Sequence, residues 1–147
     1  VLPKTIENDS NTLAKIICIS KKTPLSPLMF VESVRTGLPL DGFLHLAKLL
    51  CLTQQELSEI LKINPRTLNR RKKGQLLHPD ESDKLYRVAR LYVLALEVLE
   101  NSDDAVDWLK NPKIALNKAI PLNLMDTDAG AREVERLLNQ LKYGVYP

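Results

Sequence analysis

The chain has 147 residues, 44% hydrophobic and 27% charged, with a net charge of +3, an ordinary composition for a folded protein with one core or two small ones. No stretch is long and apolar enough for a membrane helix, and the opening VLPKTIENDSNTLAKI carries acids where a secretory leader needs an unbroken apolar run, so a cytoplasmic protein with no membrane partner is expected. The charge is divided: residues 1–79 carry +6 and residues 80–147 carry −3, which points to a polyanionic partner for the front and a different one for the rear.

Residues 1–25 read as an N-terminal arm. Leu13, Ile16, Ile17 and Ile19 are apolar, but Glu7-Asn8-Asp9-Ser10-Asn11-Thr12 is a polar run, so a loose arm or a short, late-packing element is expected. Ser26 followed by Pro27 opens a helix over Pro27–Thr36, which Gly37 stops. Asp41 is expected to cap the next helix, in which Leu44, Ala47, Leu50 and Cys51 keep helical spacing. Thr53-Gln54-Gln55-Glu56 is a capping box, with Leu52 and Leu57 placed as a hydrophobic staple, and its helix runs through Ile60 and Leu61. Asn64 then caps a second short helix that Pro65 opens and that continues through Arg66 to Lys73, before Gly74.

Two helices of about eight residues joined by about three form a helix-turn-helix, whose second helix enters the DNA major groove. From Arg66 to Lys73, five of eight residues are cationic, and Asn69 can read a base edge. The set suits phosphate neutralisation with some direct readout. A basic helix end is more often a solvated face answering the helix dipole, but here it falls on the second helix of a capped pair. The expected DNA contacts are Arg66, Thr67, Asn69, Arg70, Arg71, Lys72 and Lys73, on operator double-stranded DNA. A reading unit this small makes few contacts alone, so a homodimer is expected. The helix-turn-helix domain is taken as 26–79.

The rear domain, 80–147, opens with Asp80-Glu81-Ser82-Asp83, an acidic turn suited to a helix N-terminus. The long helix that follows carries Leu85, Val88, Ala89, Tyr92, Ala95, Leu96 and Leu99 in one stripe, widened by Leu91, Val93 and Leu94. It is either the central post of the rear half or partly covered by another subunit. Ser102 is expected to cap Asp103–Lys110, with Trp108 and Leu109 inward. A proline-punctuated connection leads to Thr127, which caps Asp128–Tyr143, with Val134, Leu137, Leu138 and Leu141 at core spacing and Gly144 as the stop. Gly130 in the first turn suggests that another backbone comes close. No strand pattern appears, so the fold class is all-α.

The segment Leu52-Thr53-Gln54, Glu56-Leu57, Leu61, Ile63, Thr67-Leu68 and Gly74 resembles the Cro-like repressor pattern, departing at Lys62, where that family often has Gly. The rear half resembles the toxin-binding domain of the Xre, ParS and MbcA antitoxins. The residues that carry it include Glu81-Ser82-Asp83-Lys84-Leu85, Arg87-Val88-Ala89-Arg90, Trp108-Leu109, Pro112, Ala115-Leu116, Pro121-Leu122, Thr127, Gly130-Ala131-Arg132 and Tyr143-Gly144-Val145. His78 stands where that family usually has a Ser or Thr cap, and Asn117-Lys118 where it often has two glycines. The resemblance implies a type II antitoxin that blocks a RES-domain, NAD-consuming toxin and represses the shared operon. It implies toxin-binding residues Arg132, Tyr143, Gly144, Val145, Tyr146 and Pro147, because such antitoxins can place their C-terminal segment at the toxin's active-site cleft.

An enzyme is not expected, since two histidines with no glycine-rich loop or nucleophile elbow leave no catalytic set. No cofactor is implied. Cys18 and Cys51 are far from each other and from His45 and His78, so no metal spacing exists and two reduced core thiols are expected. Asp103, Asp104 and Asp107 answer a helix dipole better than they make a cation site. The alternative is a stand-alone helix-turn-helix repressor, which leaves the acidic rear half and the tail Val145-Tyr146-Pro147 without a role.

Overall fold

Capping chemistry sets most helix starts. In the computed structural model, which describes residues 11–19, 26–71 and 74–144, the Ser26 hydroxyl accepts from the Met29 N–H at 3.3 Å and opens α1 (Pro27–Thr36). Gly37 ends it at φ 115°. After α2 (Leu40–Leu49), both halves of the capping box form at α3 (Gln54–Leu61): the Glu56 N–H donates to the Thr53 hydroxyl at 3.1 Å and the Thr53 N–H to the Glu56 carboxylate at 3.3 Å. Asn64 accepts from the Arg66 N–H at 2.9 Å at the head of α4 (Pro65–Asn69). There follow α5 (Pro79–Leu99), α6 (Ser102–Lys110), 3-10 turns at Ile114–Leu116 and Pro121–Leu124, and α7 (Asp128–Tyr143), capped by Thr127. Among the described residues the only extended pairings are two isolated bridges, Pro39 with Leu76 and Lys113 with Ala119, so the fold is all-helical.

Four local expectations are corrected. α2 starts at Leu40, not at an Asp41 cap, because the Leu40 N–H is satisfied by the Gln75 carbonyl at 3.0 Å, across the bridge that also joins Leu77 N–H to the Leu38 carbonyl at 2.8 Å. α6 is capped by Asn101, whose side chain accepts from Asp104 N–H at 3.0 Å, and Ser102 is its first residue. Cys18 and Cys51 are exposed, not core thiols; each takes a left-handed φ, 57° and 55°, in the bend that ends a helical segment. The second helix of the reading unit stops at Asn69, after five residues.

One continuous core runs from Leu13 to Leu138. Residues 11–16 are helical and Leu13, Ala14, Ile16 and Ile17 are buried, so this part of the arm is packed. It comes so close to α2 that a Cβ on Gly42 would stand 2.7 Å from the Ile17 carbonyl oxygen. The post of the rear half is α5, with Leu85, Val88, Ala89, Leu91 and Tyr92 buried and α1, α6 and α7 packed around it. Its wide apolar stripe is therefore largely covered within the chain, with Leu94, Leu96 and Leu99 partly buried. Polar ties join front to rear, among them the following. The Lys110 ammonium donates to the Leu50 and Cys51 carbonyls at 3.0 and 3.1 Å, capping the end of α2. The Leu38 N–H donates to the Ser82 hydroxyl, fully buried in the first turn of α5, at 2.8 Å.

Candidate functional site

Leu57, Leu61, Ile63 and Leu68, all buried, hold α3 and α4 together. Lys62 makes the turn between them in the left-handed region at φ 56° and ψ 40°, and the Ile63 N–H reaches back to the Ser58 carbonyl at 2.9 Å, the closing bond of a Schellman turn. The departure from glycine at this position thus changes the residue but not the turn. With Leu68 inward, Arg66, Thr67, Asn69 and Arg70 are all exposed, a strip of two cations and two hydrogen-bonding side chains on a convex helix. Gln54, the first residue of α3, shares a shallow groove with Asn69. Its place beside a capped helix start is the signal that sequence reasoning passed over.

Arg71 is the exception. Its side chain is only 10% exposed and turns inward, with Nη1 2.5 Å from Glu81 Oε1 in the first turn of α5. The contact is close but not aligned as a hydrogen bond, and neither terminal nitrogen has an aligned acceptor. The same Glu81 oxygen accepts from the His78 N–H at 2.8 Å, so one carboxylate caps α5 and faces the guanidinium. This also explains how His78 can stand where a Ser or Thr cap is usual: the cap reaches back from Glu81. The structure therefore withdraws Arg71 from the exposed strip. Lys72 and Lys73 lie outside the described residues.

The second candidate surface is the outer face of α7. Arg132 and Tyr143 border one shallow groove with Arg136 and Gln140 between them. Arg132 is exposed and paired with Asp128 at 2.7 Å, an i,i+4 pair on the surface, where such pairs contribute little. Tyr143 is 68% exposed, with the Lys142 ammonium 5.4 Å from its ring centroid. Gly144 ends the helix at φ 66°. Val145, Tyr146 and Pro147 lie outside the described residues. Inward, α7 is anchored by Val134 and Leu138, by Arg90 with Glu135 at 2.8 Å, and by Lys142 with Glu97 at 2.6 Å. Leu141, expected inward, is exposed.

Among the described residues no three His, Cys, Asp or Glu side chains gather as a metal site, and no helix is long and apolar enough to cross a membrane. Among the described residues, shifted titrations include those of Cys18, Tyr86, Tyr92 and Lys113. Burial raises the first three and lowers Lys113, whose ammonium lies 5.1 Å from the Trp108 ring centroid. Neither candidate surface contains any of them.

Comparison with known proteins follows this geometry. Residues 29–90 match the model of the antitoxin Xre-like helix-turn-helix domain, and residues 94–144 that of the antitoxin Xre/MbcA/ParS C-terminal toxin-binding domain. The junction between the two matches falls inside α5. An Antitoxin Xre of Pseudomonas putida is 34% identical over 94 residues, covering 63% of this chain and 58% of that protein. An Antitoxin Xre of Yersinia enterocolitica is 26% identical over 120 residues, covering 80% of this chain and 81% of the other. A Prs ADP-ribosylating antitoxin of Sphingobium sp. is 24% identical over 131 residues, covering 82% of each. With both domain matches in order along a single helical core, the chain belongs to the Xre/MbcA/ParS antitoxin family.

Proposed function

We propose that this chain is the antitoxin of a type II toxin–antitoxin pair, that it neutralises a RES-domain, NAD-consuming toxin through its rear domain, and that as a homodimer it represses its own operon by binding operator DNA. The observation that carries the reading is the presence on one core of two separate exposed surfaces of different chemistry. One is the strip Arg66, Thr67, Asn69 and Arg70 on α4; the other is the α7 face ending at Tyr143. The first offers the cations and amide that DNA backbone and base edges need. The second offers an aromatic and arginines around a groove, which suits a protein partner. NAD chemistry in the partner is supported by the resemblance and by the name of the Sphingobium relative, which links that antitoxin to ADP-ribosylation. The tail Val145-Tyr146-Pro147, continuing from Tyr143 and Gly144, is the segment assigned to the toxin's cleft.

The test is growth of cells that express the toxin encoded beside this gene, with either the full chain or a chain ending at Gly144. The full chain is expected to rescue growth and to copurify with the toxin. The shortened chain is expected to keep its helical content and DNA binding but to rescue poorly. Full rescue by the shortened chain at equal abundance moves the blocking surface elsewhere on the rear domain. Failure of the full chain to rescue overturns the antitoxin reading.

A further inference from the structure

Arg71 is cationic and adjacent to the DNA-facing strip, and it borders the groove shared by Gln54 and Asn69, yet its side chain is only 10% exposed and its guanidinium faces Glu81. α4 has only five residues and a single fully buried anchor, Leu68, at 3% exposure. Beyond Asn69 the backbone closes with Arg70 N–H on the Arg66 carbonyl at 3.2 Å and Arg71 N–H on the Leu68 carbonyl at 3.1 Å. The Arg71 side chain, held against Glu81 with each side chain 10% exposed, ties the far end of this short helix to the first turn of α5. Glu81 is itself immobilised, because its carboxylate caps α5 at the His78 N–H and the next residue, Ser82, holds the Leu38 N–H. Guanidinium and carboxylate have lost most of their hydration here, so their attraction is less screened than in a surface pair, and removal of either partner leaves the other buried and uncompensated.

We infer that Arg71 is a positioning residue for DNA readout: by gripping Glu81 it sets the angle at which α4 presents Asn69 and Arg70, and it makes no phosphate contact of its own. The inference rests on the DNA reading proposed above. Its consequence differs from that of a phosphate contact. Loss of a phosphate contact weakens all duplexes alike and lowers the salt slope of binding by about one unit. Loss of helix placement weakens only the duplex whose base edges were in register, and leaves the salt slope as it was.

The experiment uses the full chain and two duplexes, one selected for tight binding from a random pool and one scrambled, over a range of salt. Arg71→Met keeps the stem and removes the charge; Arg71→Lys keeps the charge. Arg71→Met/Glu81→Gln removes both charges and retains an acceptor for the His78 N–H, which guards against misfolding from a lone buried carboxylate. Arg70→Ala serves as the phosphate-contact comparison. Arg71→Met and the double variant are expected to lose about tenfold or more on the selected duplex, as a misplaced base contact does, with unchanged affinity for the scrambled one and an unchanged salt slope. Arg71→Lys is expected to recover part of the preference. A fall of about one unit in slope on both duplexes, as for Arg70→Ala, makes Arg71 a phosphate contact and overturns the inference. So does an unaltered preference in the folded double variant. A parent chain that binds neither duplex overturns the DNA reading itself, and this inference with it.

Discussion

At Gly130 one added methyl group challenges the contact between the first turn of α7 and the 3-10 turn that precedes it. A Cβ there would overlap the Leu124 carbonyl oxygen and stand 2.8 Å from its carbonyl carbon and 3.0 Å from the Leu124 Cβ. Those atoms cannot simply rotate away. Leu124 ends the 3-10 turn Pro121–Leu124, and Pro121 and Leu122 are buried in the core. The other response, an outward slide of the first turn of α7, stretches the 3.0 Å bond from Gly130 N–H to the Thr127 hydroxyl, a cap worth about 1 kcal/mol. Overpacking costs about 1–3 kcal/mol, and the better helix propensity of Ala offsets at most about 1 kcal/mol. Gly130→Ala is therefore expected to lose about 2 kcal/mol, the top of that range, because the overlap is with backbone, less the propensity gain. For a chain of this size the loss lowers Tm by about 6 °C. The exposed neighbour gives the control, because Ala129→Gly changes propensity alone and should cost about 1 kcal/mol or less. Propensity predicts opposite signs for these two substitutions, whereas close approach predicts that both destabilise. Urea and thermal unfolding followed by circular dichroism decide it. A Gly130→Ala chain as stable as its parent, or more so, would refute the reasoning.

Lys62→Gly relieves a left-handed residue at φ 56° and is expected to stabilise the fold by about 0.5–1 kcal/mol, the strain relief less the greater backbone freedom of Gly when unfolded; a lower urea midpoint contradicts this. Lys110→Met removes the ammonium from the Leu50 and Cys51 carbonyls and should cost about 1–2 kcal/mol, the range for a cation at a partly buried helix C-terminus; an unchanged midpoint makes the tie ornamental. The phenols of Tyr86 and Tyr92 are held above the ordinary 10.0, mainly by burial. Above about pH 10 the unfolded chain releases phenolic protons that the folded chain keeps, so it binds fewer protons and stability falls as pH rises. Lys113, lowered from 10.5 by burial, acts in the opposite direction, since there the folded chain gives up its proton first. Tyr86→Phe keeps the 5.5 Å ring contact with Phe30 and should flatten the alkaline decline in Tm; an unaltered decline removes Tyr86 as its source.

The parts of the fold that could be read in the sequence are those set by neighbouring residues. Ser26, Thr53, Asn64 and Thr127 each satisfy an N–H two or three residues away, and the pattern is written in one short window. Gly37 and Gly144 announce helix ends for the same reason. What escaped is set at a distance. The head of α2 is satisfied by the Gln75 carbonyl, from a segment that arrives only after the reading unit has folded back, so the nearby Asp41 looked like the cap. Cys18, Cys51 and Glu100 take left-handed φ at helix ends, and without glycine nothing local marks them, whereas at Lys62 the resemblance to a pattern with Gly did mark the turn. Asn101 and Ser102 are both competent caps, and the choice fell on the one whose side chain reaches Asp104 N–H.

The candidate site divides along the same line. A run of Arg and Lys after Leu68 reads as one helix because both residues are good helix formers, and each cation in it looks equally available to phosphate. Which of them faces solvent depends on what lies behind the run, and that is Glu81, ten residues on, a residue that local reading assigns to the dipole of its own helix. The carboxylate serves both ends: it caps α5 through His78 and takes Arg71 out of the strip. Among the described residues, a formal charge count overstates the exposed charge of this run by Arg71, and the helix is shorter than its basic run. The same carboxylate makes the start of the rear half a structural part of the helix-turn-helix, so on the function proposed above a substitution at Glu81 is expected to lower the preference for a selected duplex in a binding assay before it lowers copurification with the toxin.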